Sequence, residues 1–324
     1  MSAAKRLMSV FEGSQKGHGQ TTVGRIGRNG KADAKSFVIR GSLTEDIVQG
    51  HIDGAQGIGA IPIKSGDVCK FGALDIDVYD LDHKSLSQKI QQLKLPLHHC
   101  RSKSGGAHLF LFLKDWEPAA LVREILSEMA SAIGFSGCEI FPKQDTIIED
   151  RGDLGNFINL PYFNAEETMR YCFDKKCEAM DLATFLMNVE KKKVSMAELN
   201  EMSFAGDRKH FGDGAYCLEL LSSLGKVTEN RNIFLFAVGV YCRKKWTDDW
   251  KKHHEEYNRL LCQPPLPAPE VMQLQKSLEK KDYFYQCDIC PLKDHCNKEI
   301  CKTRKYGIGN DGADVPRVDA LTIP

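Results

Sequence analysis

Two aspartates stand two residues apart in the segment GALDIDVYD, residues 72–80. Side chains alternate between the two faces of a β-strand, so Asp75 and Asp77 are predicted to share one face while the apolar residues between them share the other. Two adjacent carboxylates repel each other and are costly to desolvate unless a cation lies between them. This pattern is suited to a pair of divalent cations that catalyse nucleotidyl transfer. An exposed acidic strand face is the alternative.

A serine followed by two glycines comes about thirty residues later, in CRSKSGGAHLFLF, residues 100–112. The backbone amides of such a turn can approach a phosphate closely, because glycine has no Cβ and reaches positive φ freely. A histidine then opens an apolar strand, where its imidazole can donate to a triphosphate oxygen. The alternative is an ordinary hairpin with a buried, hydrogen-bonded histidine. The nucleotide-binding candidates are Arg101, Lys103, Ser104, Gly105, Gly106 and His108, together with Lys143.

A third acid occurs in GCEIFPKQD, residues 137–145, where Glu139 lies in another short apolar strand. A third carboxylate on the same sheet face would complete a metal site. Asp145 is a rival for this position, but it follows Pro142 in a predicted loop.

These three signatures, in this order, resemble those of the archaeo-eukaryotic primase superfamily, especially the primase-polymerases of phages, plasmids and mobile elements. The flanking segments QGHIDGAQGIGAIPI, EIFPKQD and GNFINLPYF are similar as well, so the resemblance covers roughly residues 37–163. It implies a catalytic core with a modified RNA-recognition-type sheet, and two Mg²⁺ or Mn²⁺ ions bound by Asp75, Asp77 and Glu139. It also implies that His108 contacts the phosphates of the incoming nucleotide. Family members commonly have aspartate as the third acid, and Glu139 departs from that pattern.

The resemblance implies a DNA primase-polymerase that uses nucleoside triphosphates, NTP or dNTP, on a single-stranded DNA template. A two-metal nuclease could use the same carboxylates but would not need the phosphate-binding turn. A metal-stabilised single-strand-binding module without catalysis is the non-enzyme alternative, with Tyr283, Phe284 and Tyr285 as stacking platforms. The sequence has no GxxxxGK[ST] motif, so unwinding is expected from a helicase in trans or in a C-terminal extension beyond residue 324.

A cysteine-rich segment, QCDICPLKDHCNKEIC, occupies residues 286–301. Its thiols could enclose a tetrahedral Zn²⁺, and an iron-sulfur cluster is the runner-up because thiolates serve both. Unligated thiols are the third possibility. Most other cysteines, Cys217 among them, are expected to be plain core residues without disulfides, as in a reducing compartment. The predicted ligands are Cys287, Cys290, Cys296 and Cys301, with His295 as an alternative.

The later part of the chain has a helical pattern, and TENRNIFLFAVGVYCRKKW resembles the helical domains that follow primase cores. A helix N-terminus and basic residues beside the cysteines are suited to DNA phosphates. The DNA-binding candidates are Arg231, Asn232, Arg243, Lys302, Arg304 and Lys305.

The predicted fold is α+β, with a mainly antiparallel sheet between about Ser36 and Phe163 and helices near 43–51, 84–93 and 118–133. Strand signals end at about Asn164, and QPPLPAP, residues 263–269, is predicted to be a non-helical connector. The predicted domains are a catalytic core (1–164), a helical domain (165–262) and a linker with the cysteine segment and tail (263–324). Lysine plus arginine equal aspartate plus glutamate, which excludes a uniformly basic nucleic-acid surface. The sequence shows no signal peptide or membrane span, so a cytoplasmic protein is expected.

Overall fold

The computed structural model describes residues 1–26, 32–202, 210–246 and 248–308 of the 324-residue chain. Its strands are β1 (Gly17–Ile26), β2 (Ala32–Arg40), β3 (Gly57–Ala60), β4 (Val68–Ile76), β5 (Leu97–Arg101), β6 (Ala107–Pro118), β7 (Glu139–Phe141), β8 (Ile158–Asn159), β9 (Cys172–Phe173) and β10 (Ala179–Met180). Its α-helices are α1 (Ala3–Val10), α2 (Glu45–Ile52), α3 (His83–Gln92), α4 (Ala119–Ile133), α5 (Leu182–Lys192), α6 (Met196–Asn200), α7 (Tyr216–Ser223), α8 (Arg231–Lys245), α9 (Trp250–Leu261), α10 (Ala268–Lys280) and α11 (Lys298–Thr303). Short 3-10 helices cover Glu149–Arg151 and Lys293–His295. The α+β class is confirmed.

The strands form two sheets. A four-stranded sheet has the order β2-β1-β3-β8, and a six-stranded sheet has the order β10-β9-β5-β6-β4-β7. The strand pairs in both are antiparallel, as predicted. Strand β1 was not predicted, because GHGQTTVGRI is rich in glycine and polar residues and has no apolar alternation.

An aromatic cluster fills one face of the six-stranded sheet. The ring of Phe11, just after α1, meets the rings of Phe71, Phe110 and Phe112 edge to face, at centroid distances of 5.3, 5.0 and 5.2 Å. All four side chains are buried. Each such aromatic pair stabilises the folded state by about 0.5–1.5 kcal/mol beyond the effect of burying its apolar area. His108 lies two residues before Phe110 on β6, so it shares this face at the edge of the cluster.

Strand β4 ends earlier than its alternating sequence predicts. Its last paired residue is Ile76, which faces Ala107 of β6. Val78 and Tyr79 are 43% and 66% exposed. The predicted strand face that carried Asp75 and Asp77 together is therefore wrong in this detail, because β6 begins only after the glycine turn and offers no partner beyond Ile76. Asp77 lies in the loop that follows the strand.

Helix ends follow local capping. Ser42 and Glu45 have the spacing of a capping box, but Thr44 is the N-cap of α2 and its side chain accepts a hydrogen bond from the Ile47 amide. Helix α4 ends before Gly134, whose φ of 87° is the left-handed conformation that glycine commonly adopts at the end of a helix. The predicted non-helical connector, residues 263–269, is wrong at its end, because Ala268 and Pro269 form the start of α10. Proline is tolerated there because an N–H group in the first turn of a helix has no intrahelical partner.

The chain divides into two compact units. The first contains residues 1–127 and 138–202, and the second contains residues 128–137 and the described residues after 202. This division differs from the predicted boundary at 164, because β9 pairs with β5 and α5 adds Phe185 to the same core cluster as Phe11. The predicted end of strand structure at Asn164 is wrong, since β9 and β10 follow it.

In the second unit, α10 packs against α8, so the part of the predicted helical domain after residue 202 shares one unit with the segment after residue 263. The predicted tail beyond residue 308 lies outside the described residues. Across the ranges that are described, no helix combines the length and the apolar character required to cross a membrane.

Candidate active site

Strand pairing places Asp75, His108 and Glu139 side by side. Asp75 on β4 is paired directly with His108 on β6 and with Glu139 on β7. Directly paired residues on neighbouring strands project from the same face of a sheet. The Nε2 atom of His108 lies 3.5 Å from Oδ1 of Asp75. The structure thus brings together three predicted residues that lie about thirty residues apart in the sequence.

The two candidates for the third acid lie in different surroundings. Glu139 faces Asp75 and pairs with Lys143, with Nζ 2.7 Å from Oε2. Asp145 pairs with Arg123, with Nε 2.6 Å from Oδ1. The register of β7 therefore favours Glu139, and it places Lys143, a predicted nucleotide-binding residue, beside the acids.

The glycine turn contacts the loop that carries Asp77. The Ser104 hydroxyl donates to Oδ1 of Asp77 at 3.2 Å. Gly105 has φ of 94°, and a Cβ on Gly106 would lie 2.1 Å from the carbonyl oxygen of Ile76. Any residue other than glycine at position 106 would therefore displace the end of β4. The turn and the acid loop form one closely packed structure.

The basic residues that lead into the turn differ in exposure. Arg101 is half-buried and donates from Nη1 to the carbonyl oxygen of Met169 at 3.3 Å. Lys103 is exposed, and burial of part of its side chain followed by repulsion from Arg170 lowers the pKa of its ammonium group. Both residues lie at the turn, as the sequence predicts.

Burial and like charge dominate the electrostatics of Asp75. Burial, followed by repulsion from Glu139 and Asp77, raises the pKa of Asp75 to about 6, while Lys143 opposes the rise. Burial, followed by the positive charge of Arg170, lowers the pKa of His108 to about 4. At neutral pH Asp75 is therefore a carboxylate that is costly to keep ionised, next to a neutral imidazole.

Arg170 is a site residue that the sequence analysis missed. It is only 7% exposed, and its guanidinium lies over the ring of Phe163 at 5.2 Å. Its Nη1 atom is buried without a hydrogen-bond partner among the described residues. A buried unpaired cation is costly unless an anion binds it. Its segment, ETMRYCF, matches no phosphate-binding pattern, so only the fold places this arginine near His108.

The carboxylates fit divalent cations in chemistry and in charge. Carboxylate oxygens are the donors that Mg²⁺ and Mn²⁺ prefer, and the raised pKa of Asp75 reflects buried negative charge that a cation would offset. In the part of the chain that the structure describes, however, His, Cys, Asp and Glu side chains nowhere converge in threes to hold a metal ion. Glu139 is turned toward Lys143 and Asp77 toward Ser104.

Among the predicted cysteine ligands, all in the second unit, Cys287, Cys296 and Cys301 interact electrostatically with one another, whereas Cys290 lies apart from them. A hydrogen bond from Cys296 lowers the pKa of the Cys287 thiol to about 7. Cys290 is exposed and lies 3.6 Å from Oδ1 of Asp294. Cys301 is buried and its sulfur accepts the amide of Ile308 at 3.4 Å. His295 donates from Nδ1 to the carbonyl oxygen of Ser131 at 2.7 Å.

Cys217 of α7 lies near this segment, although it was predicted to be a plain core residue. Burial, followed by the neighbouring thiols of Cys301 and Cys287, raises the pKa of its own thiol. Sequence spacing could not indicate this neighbour, because α7 is about seventy residues away from the cysteine-rich segment. The metal site there stays a prediction.

The predicted DNA-binding residues divide into two groups. Arg231, Arg243 and Arg304 make internal contacts, with the Pro264 carbonyl, with Asp282 at 2.9 Å and with Glu219, respectively. Asn232, Lys302 and Lys305 are exposed. Tyr285 is buried and donates to the Tyr306 carbonyl at 2.7 Å, so it offers no free stacking face.

Comparison with known proteins identifies a family at the level of sequence. The family described as "TOTE conflict system, Archaeo-Eukaryotic Primase domain" matches residues 27–202, more than half of the chain, and the match ends where the first compact unit ends. No curated protein matches. Among solved structures, the chain matches a crystal structure of primase RepB′ at 10% identity and a TM-score of 0.30, over 86% of this chain and 98% of that chain. The chain belongs to the archaeo-eukaryotic primase domain family of TOTE conflict systems.

Proposed function

We propose that the chain is a primase-polymerase, a template-directed nucleotidyltransferase that synthesises or extends primers on single-stranded DNA with NTP or dNTP. One observation carries this proposal: Asp75 faces both His108 and Glu139 across adjacent strands. That register unites two acids with a phosphate-binding candidate on one sheet face.

Asp75, Asp77 and Glu139 would hold the divalent cations. When bound, Mg²⁺ or Mn²⁺ would activate the 3′ hydroxyl of the primer and stabilise charge on the triphosphate. The side chains of Glu139 and Asp77 would first leave Lys143 and Ser104, their present partners. Lys143 and Ser104 would then be available to donate to the triphosphate.

The triphosphate would lie against the glycine turn, with Arg170 as its main cationic partner. The guanidinium of Arg170 is buried with an unpaired Nη1, and a planar guanidinium binds phosphate oxygens through paired N–H groups. Neutral His108 would contact the same phosphates. No side chain serves as a nucleophile in this scheme, since the chemistry is positioning and charge stabilisation.

The alternatives are a two-metal nuclease and a binding module. A nuclease needs the carboxylates but not a turn and a buried arginine suited to a triphosphate, so the arrangement favours nucleotidyl transfer. A binding module needs neither the acid pair nor Arg170. No geometric feature of the described residues favours either one.

Primer extension on a 5′-labelled primer annealed to a longer template tests the proposal. With Mn²⁺ or Mg²⁺ and either NTP or dNTP, we expect a longer product whose sequence follows the template. A shortened primer would identify a nuclease, and retention of the primer in a stable complex without extension would identify a binding module. Asp115→Asn is a matched control, because Asp115 is exposed on β6 in the same sheet.

Initiation is tested separately from extension by incubating the protein with bare single-stranded template and nucleotides, without a primer.

We propose that a separate helicase unwinds duplex DNA and that zinc, or alternatively an iron-sulfur cluster, is bound by the cysteine-rich segment. Lys302 and Lys305 beside that segment would contact template phosphates. These assignments rest on the sequence pattern and on the exposure of the two lysines.

A further inference from the structure

A continuous series of hydrogen bonds connects the interior of the first unit to the glycine turn. His83 Nε2 lies 2.9 Å from the carbonyl oxygen of Gly105. His83 Nδ1 lies 3.0 Å from His99 Nε2, and His99 Nδ1 lies 2.8 Å from the hydroxyl of Ser87. We call Ser87, His99 and His83 the histidine chain. It begins inside α3, crosses to β5 and returns to the first residue of α3.

Only one placement of protons satisfies all three contacts when both imidazoles are neutral. A carbonyl oxygen only accepts, so His83 Nε2 carries the hydrogen that Gly105 receives. The Nδ1 atom of His83 must then accept from His99 Nε2, and the Nδ1 atom of His99 must accept from the Ser87 hydroxyl. Burial lowers the pKa of His83, and burial followed by the charge of His83 lowers that of His99 to about 3, which keeps both rings neutral near pH 7.

The surroundings hold the two rings in place. The ring of Phe173 contacts both, at centroid distances of 4.9 Å to His83 and 4.7 Å to His99. His99 and Ser87 are buried, each 5% exposed. A buried imidazole needs hydrogen-bond partners in any protein, so the interior part of the chain is explained by folding alone.

The outer end of the chain is not explained by folding alone. Gly106 fits tightly against the end of β4, and Gly105 fits against the acid loop that follows it: a Cβ on Gly105 would lie 3.1 Å from the Tyr79 carbonyl oxygen. His83 begins α3, directly after the loop of residues 77–82 that carries Asp77. The bond from His83 to Gly105 therefore joins the start of α3 to the turn, and it fixes the turn relative to the acid loop.

We propose that His83 is a positioning residue for the triphosphate, with His99 and Ser87 setting its tautomer. This inference rests on the proposed function, because it assumes that the glycine turn binds the triphosphate. His83 does not touch the nucleotide in this scheme. It holds the Gly105 carbonyl, so the backbone amides of the turn keep the orientation that phosphate oxygens need.

Steady-state incorporation and equilibrium binding test the proposal together. His83→Ala removes the donor to Gly105, and we expect KM for the nucleotide to rise about 10- to 100-fold with a smaller change in kcat. His83→Gln supplies an amide N–H at a similar distance and is expected to restore most of the affinity. His98→Gln is the matched control, because His98 is also buried on β5 but packs against Phe112 and Phe185 on the other face. Its KM should match that of the parent.

Binding of dATP with Mn²⁺, measured by calorimetry, separates this inference from the proposed function. If the parent incorporates nucleotides and His83→Ala binds dATP as tightly as the parent, the positioning role is wrong. If His83→Gln behaves like His83→Ala, the donated hydrogen bond is not the cause and the inference is also wrong. If the parent binds dATP or ATP but incorporates neither, the proposed function fails while a weakened His83→Ala still supports the positioning role. If the parent binds neither dATP nor ATP, both fail.

Discussion

The candidate active site on the six-stranded sheet, called the sheet site below, differs from the cysteine-rich segment. The two regions differ in how closely distance along the chain matches distance in space. Asp75, His108 and Glu139 lie about thirty residues apart and yet are direct neighbours across three strands. The four cysteines between 287 and 301 lie within fifteen residues, but Cys290 is exposed while Cys301 is buried. Closeness in sequence thus does not bring all four thiols together, since Cys290 lies apart while Cys217 of the distant helix α7 joins the other three.

The physical difference lies in what fixes each arrangement. Strand register is fixed by ladders of hydrogen bonds and by buried faces on both sides, so the sheet site exists before any ligand binds. The cysteine-rich segment is short and polar, and segments of this kind gain their folding energy from the bound metal. We expect ligand loss to change the second region far more than the first.

Asp75→Asn should give the largest change. Removing one of the two cation-binding carboxylates on this face should lower nucleotide incorporation at least about 100-fold, because each metal contributes several kcal/mol of charge stabilisation. The melting temperature of the variant should equal or exceed that of the parent, since the carboxylate is half-buried beside like charges. Retained incorporation with lowered stability would show that Asp75 is structural, and Asp115→Asn provides the control.

Cys296→Ser should lower stability more than it lowers primer extension, which is the reverse of the result expected for Asp75→Asn. We expect the purified parent to contain zinc or iron by elemental analysis and the variant to lose it, with several kcal/mol lost from the stability of the second unit. Extension of annealed primers should be less affected than initiation on bare template. Cys242→Ser, in the buried core of the same unit, should keep the metal. A parent without zinc or iron would contradict the metal prediction.

Arg170→Leu should weaken nucleotide binding about 10- to 100-fold without loss of stability. The guanidinium is buried with an unpaired Nη1, so its removal relieves a folding cost while removing a phosphate partner. Arg123→Leu is the control, because Arg123 has a carboxylate partner in Asp145 and should lose stability while keeping nucleotide affinity. Equal affinity in the parent and Arg170→Leu would remove Arg170 from the site.

The pH dependence of stability should separate the two neighbouring groups. The pKa of Asp75 is raised from 3.8 to about 6 on folding, so its contribution to stability is lost as pH rises through that range. The pKa of His108 is lowered from 6.5 to about 4, so its contribution is lost as pH falls through that range. Urea unfolding between pH 4 and 8 should show Asp75→Asn gaining about 1–3 kcal/mol over the parent above pH 6.

His108→Gln should show a gain of similar size below pH 6.5 and little gain above it. The two variants would then change the pH profile with opposite signs. A parallel shift of both profiles would mean that the two groups do not titrate as their surroundings indicate.

The sequence predicts the acids and the turn because each breaks a pattern. Asp75 interrupts an apolar strand, and two adjacent glycines interrupt the approach to β6, so each residue type needs a reason beyond folding. Arg170 gives no such signal, since an arginine beside apolar residues is ordinary until the fold buries it. Strand β1 escaped prediction for lack of alternating apolar residues. Helix α1 was not predicted although Ala4, Leu7 and Phe11 recur at helical spacing, because an eight-residue segment is a weak signal by itself. Only the fold shows that Phe11, next to α1, lies at the centre of the aromatic cluster.

The choice of third acid tests the register most directly. Sequence alone leaves Glu139 and Asp145 as rivals, whereas strand pairing places Glu139 opposite Asp75 and leaves Asp145 paired with Arg123. Single-turnover incorporation of one nucleotide in saturating Mn²⁺ should be slowed at least about 100-fold by Glu139→Gln and nearly unchanged by Asp145→Asn. Unchanged incorporation in Glu139→Gln, with loss in Asp145→Asn, would contradict the claim that the register of β4, β6 and β7 builds the active site.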